Sequence, residues 1–205
     1  DGLILPPRIA PVAVALIPIF VNDQERSQTL EFAEQIKQRL AAHLDHLRIQ
    51  IDDRDNLRPG DKFFHWIQQG VPVRVEIGPR DVKQQSAMVA RRDVRDKKLV
   101  HLDEIAHHIM SLLQQIQQNL YQRALDFREV NTRTAKSYGE FKEILELEGG
   151  FVRAHWNGSR EVEDLIKNET KATIRCIPLN DQPEVGKCIL TGEHSKQEVI
   201  FAIAY

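Results

Sequence analysis

Guanidinium, carboxylate and aromatic side chains gather within one short stretch: Phe63, Trp66, Arg74, Glu76, Arg80 and Asp81. Guanine offers an acceptor edge that suits a donor pair, and N1 and N2 hydrogens that suit a carboxylate. An unpaired base also takes an aromatic or guanidinium platform. All three types are present, so reading a single-stranded base is the chemistry this spacing favours. Arg91 and Arg92 are adjacent on a strand, point to opposite faces and suit phosphates better than a base edge. Each residue also has a purely structural role open to it. Phe63 and Trp66 on a short amphipathic helix can be core, and Arg74 and Glu76 on one strand face can pair across strands for about 0.2 to 1 kcal/mol.

The elements that hold these groups follow from periodicity. In Gly70-Val-Pro-Val-Arg-Val-Glu-Ile-Gly-Pro-Arg-Asp81, alternation puts Val71, Val73, Val75 and Ile77 on one face of a strand and Arg74 and Glu76 on the other. Gly78-Pro79 ends the strand, leaving Arg80 and Asp81 at its carboxyl end, where open α/β sheets place binding residues. Further strands are predicted at 12–20, 48–52, 87–93 and 98–102. A helix capped by Asn22 or Asp23 repeats Leu30, Phe32, Ala33, Ile36, Leu40 and Leu44, and a shorter one covers 62–69 up to Gly70. The order points to a mixed sheet flanked by helices, an α/β fold. A long helix over 103–130, striped by Ile105, Ile109, Leu112, Leu113, Ile116 and Leu120, lacks Gly and Pro and suits a stiff connector. A smaller α+β unit follows over 131–205, with a helix at 137–147, a Gly149-Gly150 break and strands at 151–156, 172–177 and 199–204.

A chain of 205 residues holds one large domain or two small ones. Its net charge of −2 excludes a nucleic-acid binder that works by total charge. Locally the balance differs: residues 71–100 carry eight Lys/Arg against four Asp/Glu. The longest apolar run, 12–20, contains Pro18 and is too short to span a bilayer. Two cysteines and no basic leader predict a reducing, cytoplasmic setting, and the missing initiator Met predicts a piece of a longer protein.

Metal chemistry is poorly supplied. Cys176, Cys188 and His194 make three possible zinc ligands where a structural site takes four, so buried structural cysteines are the favoured state. His43 and His46 lie one turn apart without a third ligand, and Asp52-Asp53-Arg54-Asp55 reads more readily as a solvated charge cluster than as a magnesium site. His107-His108 suits the surface of the long helix. No phosphate-binding glycine loop, nucleophile elbow or His-Glu-x-x-His pair occurs. A small-molecule enzyme on an α/β sheet is disfavoured accordingly, while a free-standing RNA-binding or regulatory module stays open.

Several separated blocks, in order, resemble one family. They are Gly2-Leu-Ile-Leu-Pro-Pro-Arg-Ile-Ala-Pro11, the run from Asp61 to Val82, Ala90-Arg-Arg-Asp93, Phe151-Val-Arg-Ala-His-Trp-Asn-Gly158, Thr170-Lys-Ala-Thr-Ile-Arg-Cys-Ile-Pro178 and Phe201-Ala-Ile-Ala-Tyr205. The chain is similar throughout to the C-terminal part of prolyl-tRNA synthetases of the archaeal/eukaryotic-like type. The resemblance implies the class II synthetase anticodon-binding fold over 12–130, a C-terminal domain over 131–205 and, over 1–11, a remnant of the segment that follows the catalytic domain. It implies that Arg74, Asp81 and Phe63 occupy positions that help read the two guanines shared by proline anticodons.

One departure stands out. The family commonly has Trp-Glu-Leu-Lys-Gly where this chain has Trp66-Ile-Gln-Gln-Gly70, so Ile67 replaces an anticodon-reading glutamate and either Asp81 or Glu76 takes over or one base is read more loosely. Zinc-bearing relatives carry a Cys-x-x-Cys-Gly pair where this chain reads Cys188-Ile-Leu-Thr-Gly192. By the same resemblance the partners are proline tRNA and the protein's own catalytic domain, without a membrane, in a homodimeric parent enzyme. The parent uses ATP and magnesium; this stretch has no cofactor and no catalytic residue of its own. The terminal tyrosine, Tyr205, is the group whose carboxylate approaches the active site in the family.

Overall fold

A computed structural model describes residues 2–42, 49–94, 96–179 and 185–204. His43, Leu44, His46 and Tyr205, singled out above, and the first residue of the strand predicted at 48–52 lie outside the described residues. The chain divides into two compact units, 1–123 and 124–205.

The first unit is built on a five-stranded sheet of order β2-β1-β3-β4-β5. Its strands are β1 (Val14–Pro18), β2 (Ile49–Ile51), β3 (Val73–Ile77), β4 (Ser86–Arg91) and β5 (Lys97–His101). β1 runs parallel to β2 and β3; β4 and β5 are antiparallel to their neighbours. The fold is the mixed α/β arrangement that the sequence predicts.

Helix α1 (Asp23–Ala41) buries Phe32, Ala33, Ile36 and Leu40 against this sheet, in one cluster with Val73, Val75 and Ile77 of β3. Ile105, Ile109 and Ile116 of α4 (Ile105–Val130) complete that layer, each fully buried. Such a side chain contributes about 1.5 to 3 kcal/mol. Asn22 starts α1 by accepting the Glu25 N–H at 2.9 Å, and Glu25 reaches back to the Val21 N–H. We expect Asn22→Ala to cost about 1 kcal/mol, seen as a lower denaturant midpoint with unchanged slope.

The opposite face of the sheet is covered at β1 by α2 (Pro59–Gln68), which starts with Pro59 in its first turn. Trp66 packs there with Ala15, Ile17 and Val71. Val71 is thus a correction to the predicted strand face. Gly70 at φ +73° and Pro72 turn the chain before β3 begins, so the alternation does not extend back to Val71. The predicted turn after Gly78 is a short helix, α3 (Pro79–Lys83), whose Val82 packs on the α1 side.

The second unit has a four-stranded sheet of order β6-β7-β11-β8, from β6 (Thr132–Thr134), β7 (Phe151–Trp156), β8 (Ala172–Cys176) and β11 (Gln197–Ile203). A two-stranded ribbon joins β9 (Gly186–Lys187) to β10 (His194–Ser195). Helix α5 (Tyr138–Glu143) continues into a wider turn, Ile144–Glu148, that ends at Gly149. Phe141 meets Phe201 edge-on at 5.1 Å in a core shared with Val152, Ile166 and Val199. Ile166 belongs to α6 (Arg160–Thr170), an element that the strand-by-strand reading passed over. Its signal was there: Ser159 accepts the Val162 N–H as the cap, and Val162, Leu165 and Ile166 follow at helical spacing.

Candidate nucleic-acid interface

Strand register puts a row of unlike side chains on the α2 face of the first sheet. Ala15 pairs with Arg74 and Ile17 with Glu76; Arg74 pairs with Ala90 and Glu76 with Met88; Ala90 pairs with Lys97 and Met88 with Leu99. These residues share one face because paired positions in a sheet point the same way. Helix α2 covers the β1 end of that row with Trp66. Towards β5 the row opens, with Leu99 48% exposed.

Charge is arranged in a chain across the row. The Lys97 Nζ donates to both Glu76 oxygens at 2.7 and 2.9 Å, and the same ammonium lies 5.6 Å from the centre of the Phe63 ring. On the inner side Arg74 approaches Glu76 only to 4.0 Å. Arg74 is 7% exposed, and its Nε is buried without a hydrogen-bond partner among the described residues. Burial pushes its guanidinium below the ordinary value; Glu76 opposes that shift and Arg92 adds to it. A buried donor without an acceptor is costly, about 1 to 3 kcal/mol.

The other predicted site residues divide. Phe63 is half-buried and borders the Lys97 ammonium, which in turn holds Glu76. Trp66 is 5% exposed and its indole N–H donates to Asp52 at 2.8 Å, so its ring is a core element with no open face for a base. Asp81 accepts the Gly78 N–H at 2.7 Å and closes the first turn of α3. Arg80 is exposed, with no side-chain bond among the described residues. Pro79 starts a helix that packs on the α1 side through Val82, so Arg80 and Asp81 sit on α3 while Arg74 sits on the α2 face of β3.

Arg91 and Arg92 do face opposite ways. Arg91 makes a two-pronged bond to Asp93 at 2.7 Å each, on the side where Asn119 of α4 also donates to Asp93. Burial raises the Asp93 carboxyl, but the bonds from Arg91 and Asn119 outweigh it and hold the group below the usual carboxylate range. Arg92 donates to the carbonyls of Ile67 and Gly2. Both guanidinium groups, predicted for phosphates, thus have protein acceptors.

Two findings lay outside the residues picked from sequence. Lys97 figured only in the charge balance, although its place opposite Ala90 follows once β4 and β5 are paired. Asp52, read from sequence as part of a solvated charge cluster rather than a magnesium site, is a buried anchor instead. Its carboxylate accepts Arg54 Nε and Nη2 at 2.7 Å each and Trp66 Nε1 at 2.8 Å, while Lys62 Nζ donates to its backbone oxygen at 3.1 Å. Burial raises the Asp52 carboxyl; the bonds from Arg54 and Trp66, with the charges of Arg54 and Lys62, overcome that and lower it.

Comparison with known proteins places both units. Residues 13–112 match the family described as Anticodon binding domain, and residues 138–205 match Prolyl-tRNA synthetase, C-terminal. This chain carries an anticodon binding domain followed by a prolyl-tRNA synthetase C-terminal domain. It is 46% identical over 208 residues to a proline–tRNA ligase of Roseiflexus sp. (strain RS-1), covering 100% of this chain and 42% of that protein. Identity to the proline–tRNA ligase of Porphyromonas gingivalis (strain W83) is 47% over 205 residues, covering 100% of this chain and 41% of that protein. For that of Chloroflexus aurantiacus (strain J-10-fl) it is 46%, with 42% of that protein covered. The chain therefore spans about two fifths of the length of the curated relatives it matches. The row of Arg74, Glu76 and Lys97 lies within the anticodon binding domain.

In the prolyl-tRNA synthetase C-terminal domain, Cys188 is buried and Cys176 exposed, both as free thiols. Burial would raise the Cys188 thiol, but hydrogen bonds from the Thr191 hydroxyl and the backbone of Thr191, Leu190 and Asn157 lower it. Among the described residues no three His, Cys, Asp or Glu side chains converge as metal ligands. Thr191, which occupies the near side of the Cys188 sulfur, is no zinc ligand.

Proposed function

We propose that this chain is the anticodon-reading C-terminal part of a proline–tRNA ligase of the archaeal/eukaryotic-like type. The observation that carries the reading is the partnerless Arg74 Nε beneath Glu76, whose carboxylate is held from outside by Lys97. An incoming guanine supplies what each group lacks. Its O6 or N7 gives Arg74 an acceptor, and its N1 and N2 hydrogens can replace Lys97 on Glu76. Phe63 borders the same spot and offers a ring to an unstacked base. Glu76 is thereby the carboxylate that stands in for the family glutamate replaced by Ile67.

Arg80 is exposed and remains a candidate contact at the carboxyl end of β3. Asp81 acts through its turn, and Trp66 through packing. The whole enzyme would join proline to its tRNA with ATP and magnesium, in a catalytic domain outside this sequence and within a cytoplasmic homodimer. Among the described residues no helix is long and apolar enough to cross a membrane. The residues around Cys188 do not fit a zinc ion, and the reading includes none.

A titration at fixed salt tests the reading. A proline-anticodon stem-loop should bind more tightly than the same loop with both guanines replaced by adenines, by about 1 to 3 kcal/mol per base. Equal affinity for the two loops would refute it.

A further inference from the structure

The segment ahead of β1 is laid along the C-terminal end of α2. The Leu3 N–H donates to Gln68 O and the Leu5 N–H to Gly70 O, each at 3.2 Å, the alternate-residue pattern of an added strand. Leu3 is 56% exposed and Ile4 39%, so burial contributes little and backbone bonds hold this strap. Two glycines make the close approach possible. A Cβ on Gly70 would stand 2.6 Å from Leu3 Cβ, and one on Gly2 would stand 2.7 Å from Gln68 Cα and Ile67 O. Both glycines also have positive φ, +73° and +80°, which side chains rarely adopt.

Arg92 closes the joint. Its Nε donates to Ile67 O at 3.4 Å, its Nη2 to Gly2 O at 3.3 Å, and its backbone N–H to Pro72 O at 2.9 Å. One planar guanidinium therefore touches the strap and the last turn of α2 together, sharing Ile67 O with the Gly70 N–H at 3.1 Å. Helix α2 carries Phe63 to Lys97 and Trp66 to Asp52. A shift of its last turn is therefore felt at the edge of the Arg74 seat.

We propose that Arg92 is a positioning residue that rivets the strap of residues 2–5 to the end of α2, so that the strap sets where Phe63 stands beside Arg74 and Glu76. The proposal rests on the RNA reading above and gives Arg92 a role other than a phosphate contact.

The test uses Arg92→Ala, Arg92→Lys and Leu3→Pro, and the Arg92→Ala/Leu3→Pro double variant. Amide exchange at Leu5 is read beside titration with the proline-anticodon stem-loop at several salt concentrations. Both single losses should speed Leu5 exchange about tenfold and weaken RNA about threefold to tenfold. Arg92→Lys, which keeps the charge but cannot span two carbonyls, should match Arg92→Ala. The double variant should bind no worse than either single one, because both break the same joint. The salt slope should equal that of the parent. A slope reduced by about one with Leu5 exchange unchanged would make Arg92 a phosphate contact and overturn the rivet. Additive losses in the double variant would overturn it too. Failure of the parent to bind the stem-loop sinks the RNA reading and with it the effect on Phe63, and faster Leu5 exchange would then still establish the joint itself.

Discussion

Asp52→Ala should destabilise the first unit by about 2 to 4 kcal/mol. The carboxylate side chain of Asp52 is fully buried and satisfies Arg54 and the Trp66 indole together. Removing it leaves the buried indole N–H without an acceptor and uncouples β2 from α2. Arg54, whose side chain is 37% exposed, recovers water on losing its partner, which keeps the cost below that of a fully sealed pair. Chemical denaturation of the variant and parent measures the difference. The same group gives a pH dependence with a definite sign. Its folded pKa is lowered, so its contribution is complete above the unfolded value near 3.8 and disappears as pH falls through the lower folded value. Asp93, lowered in the same direction, adds to the effect. Thermal midpoints of the parent should therefore drop steeply below about pH 4, and Asp52→Asn should flatten part of that drop. A variant whose acid limb matches the parent's would contradict the assignment.

The second large effect is on binding. Arg74→Ala should weaken the proline-anticodon stem-loop by about 1 to 3 kcal/mol and erode the preference for guanine over adenine. Arg74→Lys should not restore it, because a point charge on a flexible stem cannot offer the same planar pair of donors. Glu76 would lose its weaker cationic neighbour but keep Lys97, so the fold should persist. Unchanged affinity and unchanged base preference would remove Arg74 from the interface.

The strands and helices of the first unit were legible because both of their faces speak in sequence. Val73, Val75 and Ile77 alternate with Arg74 and Glu76, and Phe32, Ile36 and Leu40 recur at helical spacing. What alternation does not carry is depth. Glu76 and Arg74 read as a polar face, yet both are nearly buried on a strand that lies between β1 and β4, with Lys97 of β5 drawn over Glu76. Nor does it carry partnership across the sheet. Lys97 becomes a neighbour of Glu76 only through the antiparallel pairing of β4 with both β3 and β5. The helix at Arg80-Asp81 was hidden for a local reason, since Pro79 after Gly78 both stops a strand and starts a helix, and its N3 aspartate then serves the backbone. Block-by-block likeness supplied the family; contact geometry shows which of the singled-out residues already have protein partners.

Strand β5 forms one border of its sheet and shows Lys97 and Lys98 to solvent. Ammonium groups on a border strand repel a second chain that would otherwise zip onto its free backbone groups. The lysine that closes over Glu76 thus also guards against self-association, so trading it for an apolar residue would invite clumping of the protein alongside any change in what it binds.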